Sequence, residues 1–140
     1  MTDTIRQHRT QMAFMDQDHE AAADCLDRLL ELADQGRDGL AAAFHEFIEH
    51  NRAHFAREEG LMARMDFPPA AGHKAEHTAA LELWEGALAR LESGELDAAA
   101  LAAILRDEIL PAYSRHVRTM DSLTAQFALR AGVVDEAAEG

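Results

Sequence analysis

Histidine and carboxylate at helical spacing are the residues of this chain that could do chemistry. The sequence holds eight histidines and 26 acidic residues in 140. His54-x-x-x-Glu58 and His73-x-x-x-His77 each put two side chains on one face of a helix, within reach of a common ion. Either pair alone is cheap in so acidic a chain, as the incidental His45-x-x-x-Glu49 shows. Their positions carry more weight. Leu40, Phe44, Phe47, Asn51, His54, Glu58, Leu61 and Met65 follow the 4-3-4-3 spacing of a buried seam, and the middle of that seam is polar. His73 and His77 lead a face continued by Ala80, Trp84 and Leu88, and His19 leads Ala22, Leu26, Leu29 and Ala33. His116 falls among Leu101, Leu105, Ala112, Leu123 and Phe127. A buried neutral imidazole needs a partner for both ring nitrogens. A metal ion takes one nitrogen and leaves the other to a nearby acceptor. Imidazole with carboxylate suits iron, zinc, copper or nickel better than magnesium or calcium. So many donors exceed one tetrahedral zinc and suit two near-octahedral ions bridged by carboxylates.

Helices must position these groups. Ala, Leu, Glu, Arg and Met dominate, Pro and Gly are few, and no strand-like alternation occurs. The breakers at 36–39, 66–72, 93–94 and 132 leave helices over 16–34, 40–65, 70–92 and 97–130. Short connections make neighbours antiparallel, which predicts an all-α, up-down-up-down four-helix bundle in a single domain spanning 1–140. Residues 1–13 read as a polar N-terminal arm without a helix, and 133–140 as a flexible tail. Pro111 inside the last helix predicts a kink near 109–112.

Composition narrows the function classes. The net charge of −13 opposes nucleic acid and anionic membrane surfaces. No apolar run reaches the length of a membrane span, and the first residues lack the apolar stretch of a secretory signal. The expected location is the cytoplasm. The single cysteine, Cys25, excludes an internal disulfide and reads as a small buried hydrophobe. No Glu-x-x-His occurs, which argues against a ferritin-like di-iron oxidase. No phosphate loop, nucleophile elbow or dinucleotide fingerprint is present.

Several segments together resemble the hemerythrins, especially the bacterial single-domain ones. They are Met15-Asp16-Gln17-Asp18-His19, His54-Phe55-x-x-Glu58-Glu59-x-x-Met62, His73-Lys74-x-x-His77 and His116-x-x-x-x-Asp121, in that order. The resemblance spans about residues 12–130. It implies two non-haem iron ions, one held by His73, His77 and His116 and the other by His19 and His54. Glu58 and Asp121 would bridge them beside an oxo or hydroxo group. O2, or a similar small diatomic, would bind at the iron held by His19 and His54. The implied role is oxygen storage, delivery (transport) or sensing, with any protein partner unknown. A stand-alone chain of this length favours storage or delivery. The alternative is a di-iron enzyme acting on peroxide or nitric oxide at the same site.

Asp121 enters through the resemblance alone. Five residues of ideal helix turn it about 140° from His116. Either the helix widens locally into a π turn, or the two groups reach the metal pair from different sides. The second alternative is the one favoured on the sequence. Where bacterial hemerythrins place Trp-Leu before the last histidine, this chain has Ala112 and Tyr113, and Ala22 stands where a bulky aliphatic is usual. Phe55, Tyr113, Val117 and Ala22 are thereby expected to line the O2 pocket. Tyr113 would hydrogen-bond a bound ligand, ligate iron or gate entry. His8 and His45 are expected on the surface, and His50 at a half-exposed position near the bundle end. Glu59, Lys74 and Glu76 are expected to face solvent.

Overall fold

The computed structural model describes residues 2–36 and 38–133. The expected flexible tail lies, from 134 on, outside the described residues. A short helix, α1 (Asp3–Gln7), precedes four long ones: α2 (Ala13–Gln35), α3 (Leu40–Met65), α4 (Ala70–Glu92) and α5 (98–130). The described residues are helical with no strand.

Local chemistry sets the ends. Gly36 takes φ 59° and gives its N–H to the Ala33 carbonyl, closing α2 in the left-handed conformation that glycine adopts at least cost. Asp66 does the same for α3 at φ 49°, just ahead of Phe67-Pro68. The Asp97 carboxylate accepts from the Ala100 N–H at 2.8 Å and caps α5.

The core reveals the helix directions. Buried apolar side chains form two clusters with a polar layer between them. On α2 the order is Phe14 and Met15 from the smaller cluster, then His19, then Ala22 to Ala33 from the larger. On α3 it reverses, from Leu40–Phe55 through His54 and Glu58 to Leu61. On α4, His73 and His77 precede Trp84 and Ala87. On α5, Leu101–Val117 precede Asp121 and then Ala125 and Ala128. The alternation is that of an up-down-up-down bundle. α2 packs on α3 and α5, and α4 packs on α3 and α5, which closes the ring.

The N-terminal residues fold more than expected. Ile5 and Met12 are fully buried, one in each apolar cluster. The Arg6 guanidinium reaches Asp24 at 2.6 Å and Asp27 at 2.7 Å, and the Thr2 hydroxyl donates to Asp27 at 2.6 Å. Thr10 donates to Asp16 through both its N–H and its hydroxyl. A helix of five residues is too short to announce itself by periodicity; its single core residue, Ile5, supplies the anchor.

α5 departs from ideal geometry twice. π turns occupy Leu105–Ile109 and Val117–Asp121. The first reaches into the stretch 109–112 where a kink is expected. It ends two residues before Pro111, which has no N–H to give to the preceding turn. Each π turn adds a residue and advances the buried face by one position. Ala112 and Leu123, expected in the core, are exposed, and Tyr113 and Thr124 are buried in their place. Phe127 is half-buried, and Ala128 takes the core position.

Candidate metal centre

The polar layer gathers the seven expected donor residues. Glu58, His73, His77, His116 and Asp121 each offer an atom within 4.8 Å of all the others, and His19, His54, Glu58 and Asp121 do the same. Glu58 and Asp121 belong to both groups. The second π turn makes this possible. It brings Asp121 Oδ1 to 3.0 Å from His116 Nε2, where an ideal helix would carry it away. The π-turn alternative therefore holds, and the approach from different sides, favoured on the sequence, does not.

Four of the five histidines have their outer nitrogen held. His54 Nδ1–H donates to Asp18 Oδ2 at 2.8 Å, and His77 Nδ1–H to Glu59 Oε2 at 2.9 Å. His116 Nδ1–H donates to Glu76 Oε1 at 2.9 Å. His73 Nδ1 lies 2.8 Å from Thr124 Oγ1, whose own proton goes to the Met120 carbonyl. The threonine oxygen can then only accept, so His73 carries its proton on Nδ1. All four rings turn Nε2 inward. His19 turns Nε2 inward as well, to 2.8 Å from Asp121 Oδ2.

These partners escaped the sequence reading. Glu76, exposed as expected, steadies His116, and Glu59, half-buried where solvent was expected, steadies His77. Asp18 precedes His19 yet serves His54 on the next helix, and also accepts from Arg57. His50, half-buried, donates from Nε2 to the Asp18 carbonyl at 3.0 Å. Such pairings join residues that only the bundle brings together. The one sequence signal was the acid at position 59, beside a candidate ligand. His45 is exposed, as expected; His8 is half-buried, with its Nε2 enclosed.

The layer fits cations. His54 Nε2, His77 Nε2, His19 Nδ1 and both Glu58 oxygens are buried without a hydrogen-bond partner. His73 Nε2 and His116 Nε2 stand 3.2 Å apart. Glu58 Oε1 lies 3.2 Å from His77 Nε2 and 3.3 Å from His54 Nε2. Acceptors crowded together in a dry core repel one another unless something positive lies among them. The crowding shifts the acid–base balance of the groups. Burial, reinforced by the Asp121 charge, holds the Glu58 carboxyl well above the usual range. Burial, then the neighbouring His73 and His116, push His77 down to about 2. Burial also opposes a charged His116, but Asp121 and Glu76 outweigh it and raise that ring to about 8.

Aromatic rings wall the layer. Phe55 stacks on His77 with centroids 3.9 Å apart and planes 8° apart. Phe14 stands 6.3 Å from the His54 ring. Phe55 and Tyr113 line a cleft of about 370 Å3 between α4 and α5, beside His77 and His116. Ala22 and Val117 are fully buried in the larger apolar cluster and do not line that cleft. The Tyr113 hydroxyl donates to Asn51 Oδ1 at 2.6 Å, and Asn51 Nδ2 donates to the Phe47 carbonyl at 2.8 Å. The polar seam residue Asn51 thus serves the phenol and stands outside both donor groups. Burial, reinforced by the Asp121 charge, holds the Tyr113 hydroxyl well above its ordinary value, so it stays a phenol.

Comparison with known proteins agrees with this arrangement. The family model described as the hemerythrin HHE cation binding domain matches residues 10–128. A bacteriohemerythrin of Ralstonia nicotianae is 30% identical over 120 residues, covering 86% of this chain and 83% of that protein. No solved structure gives a match. With its bundle, its shared carboxylates and its five inward histidines, the chain belongs to the hemerythrin family.

Proposed function

We propose that this chain binds O2 reversibly at a non-haem di-iron pair and serves in oxygen storage, delivery or sensing. One observation carries the reading. The two donor groups share Glu58 and Asp121 but are unequal, with three histidines in one and two in the other. His73, His77 and His116 would hold one iron, His19 and His54 the second, with the carboxylates across both. The side poorer in histidine would keep a position for O2. Iron would supply the electrons that imidazole and carboxylate cannot.

The protein's own part is placement and exclusion. The carboxylate acceptors and Thr124 hold the Nδ1 protons of His54, His73, His77 and His116, so Nε2 is the nitrogen each of these rings would give to a metal. The carboxylates, fully buried, set the separation between the two groups. Apolar clusters above and below the layer keep water and protons away from it. Tyr113 gives its proton to Asn51, so it has none to offer a ligand in this arrangement. No helix among the described residues is long and apolar enough to cross a membrane. The cytoplasmic location expected from the sequence goes with this reading.

The test is anaerobic reconstitution with ferrous iron, a metal count, and cycles of air and vacuum under visible spectroscopy. Two irons per chain and a band that comes with air and leaves under vacuum are expected. Direct passage to a stable ferric spectrum would overturn the carrier reading. It would move turnover of peroxide or nitric oxide to the front.

A further inference from the structure

The cleft between α4 and α5 has features that diatomic binding does not use. Its volume of about 370 Å3 far exceeds what O2 needs. An apolar cavity of roughly 150 Å3 already holds one benzene ring. Two small side chains, Ala79 on α4 and Ala112 on α5, open the gap between the helices. Its floor is aromatic: Phe55 and Trp84 have centroids 5.9 Å apart and planes 30° apart. The rim carries one cation and one anion, Arg115 and Glu76. Glu76 is engaged by His116. The exposed Arg115 guanidinium makes no ion pair or hydrogen bond among the described residues.

We propose that this cleft is a binding site for a small aromatic carboxylate, its ring over Phe55 and Trp84 and its carboxylate at Arg115. A flat apolar body matches the aromatic floor, where ring-on-ring contact adds to burial. The one unengaged charge at the rim selects an anion, and a guanidinium meets a carboxylate with two parallel hydrogen bonds. Pockets of this size and lining, mostly apolar with few polar groups, are typical of small organic ligands. The site depends on α4, α5 and the α3 ring, and its occupancy is measurable with or without metal.

The only tryptophan of the chain, Trp84, lies in the floor and reports binding directly. The experiment titrates benzoate, and separately benzyl alcohol, into the full chain while following tryptophan fluorescence, with calorimetry as a second readout. Saturable binding of benzoate, several-fold tighter than benzyl alcohol, is expected. Arg115→Gln should weaken benzoate on the order of fivefold and leave benzyl alcohol unchanged. Ala112→Phe should fill the gap and abolish both. Ala112 is exposed, and Ala79→Phe fills the same gap from the other helix should the first variant misfold. No saturable response in the wild type would overturn the proposal. So would benzyl alcohol binding as tightly as benzoate, or a folded filled variant that binds benzoate like the wild type.

Discussion

His73 Nε2 and His116 Nε2 stand 3.2 Å apart, and Asp121 Oδ1 lies 3.0 Å from each. Two imidazole nitrogens and a carboxylate oxygen converge at that point from two helices. Asp121 arrives only because the Val117–Asp121 turn is a π turn. Burial alone would raise its carboxyl, yet His116, His19 and His73 hold it well below the usual carboxylate range. Asp121→Ala should therefore cost metal first. The expected outcome is a fall from two irons per chain to one or fewer, read by elemental analysis, with helix content retained. Two tightly held irons in that variant would remove Asp121 from the bridging role.

Metal removal should destabilise the bundle. A cation among the buried, partnerless atoms of His54, His77 and Glu58 would satisfy them together. Ligand that binds only the folded state stabilises it by mass action. For a chain of this size, several kcal/mol correspond to a drop in Tm on the order of 10 °C. Calorimetry of chelated and iron-loaded protein measures the difference. Equal midpoints would mean that the polar layer does not hold the metal.

Thr124 makes a sharper test of the ring tautomers. Thr124→Val keeps the shape but removes the acceptor for His73 Nδ1–H. Loss of such a partner typically costs about 10- to 100-fold in metal affinity. A competing chelator should show that loss, and Thr124→Ser should restore most of it. Unchanged affinity in the valine variant would show that the hydroxyl does not orient His73.

Tyr113→Phe should separate structure from ligation. Removing the phenol leaves Asn51 Oδ1 buried without its donor. An unsatisfied buried acceptor costs about 1–3 kcal/mol, seen as a fall in Tm of several degrees. The visible spectrum of the iron-loaded protein should not change. A band lost with the phenol would show that Tyr113 ligates metal after all.

Much of this site was legible in the order of residues. Helical spacing alone put His19, His54, Glu58, His73 and His77 on inward faces, because those stretches are regular α-helix and 3.6 residues per turn projects them correctly. The bounds 40–65 and 70–92 coincide with the helices found, since Gly39, Asp66 and Ser93 mark their ends. α5 was harder. An ideal period assigns Ala112, Leu123 and Phe127 to the core, and two π turns rotate them away.

What the linear chain determined is the four long helices, their antiparallel order and the inward histidines with Glu58, consequences of local periodicity and short connections; Asp121 came from the family resemblance, and the five-residue α1 was not foreseen. What only the tertiary structure decided is who holds whom. Asp18 reaching His54, Glu76 reaching His116, Thr124 reaching His73 and Tyr113 reaching Asn51 are contacts across helices dozens of residues apart. Their register depends on how far each helix slides and turns against its neighbours. That is settled by packing the two apolar clusters around the polar layer, together with two π turns in α5 that no spacing rule on a regular helix foresees.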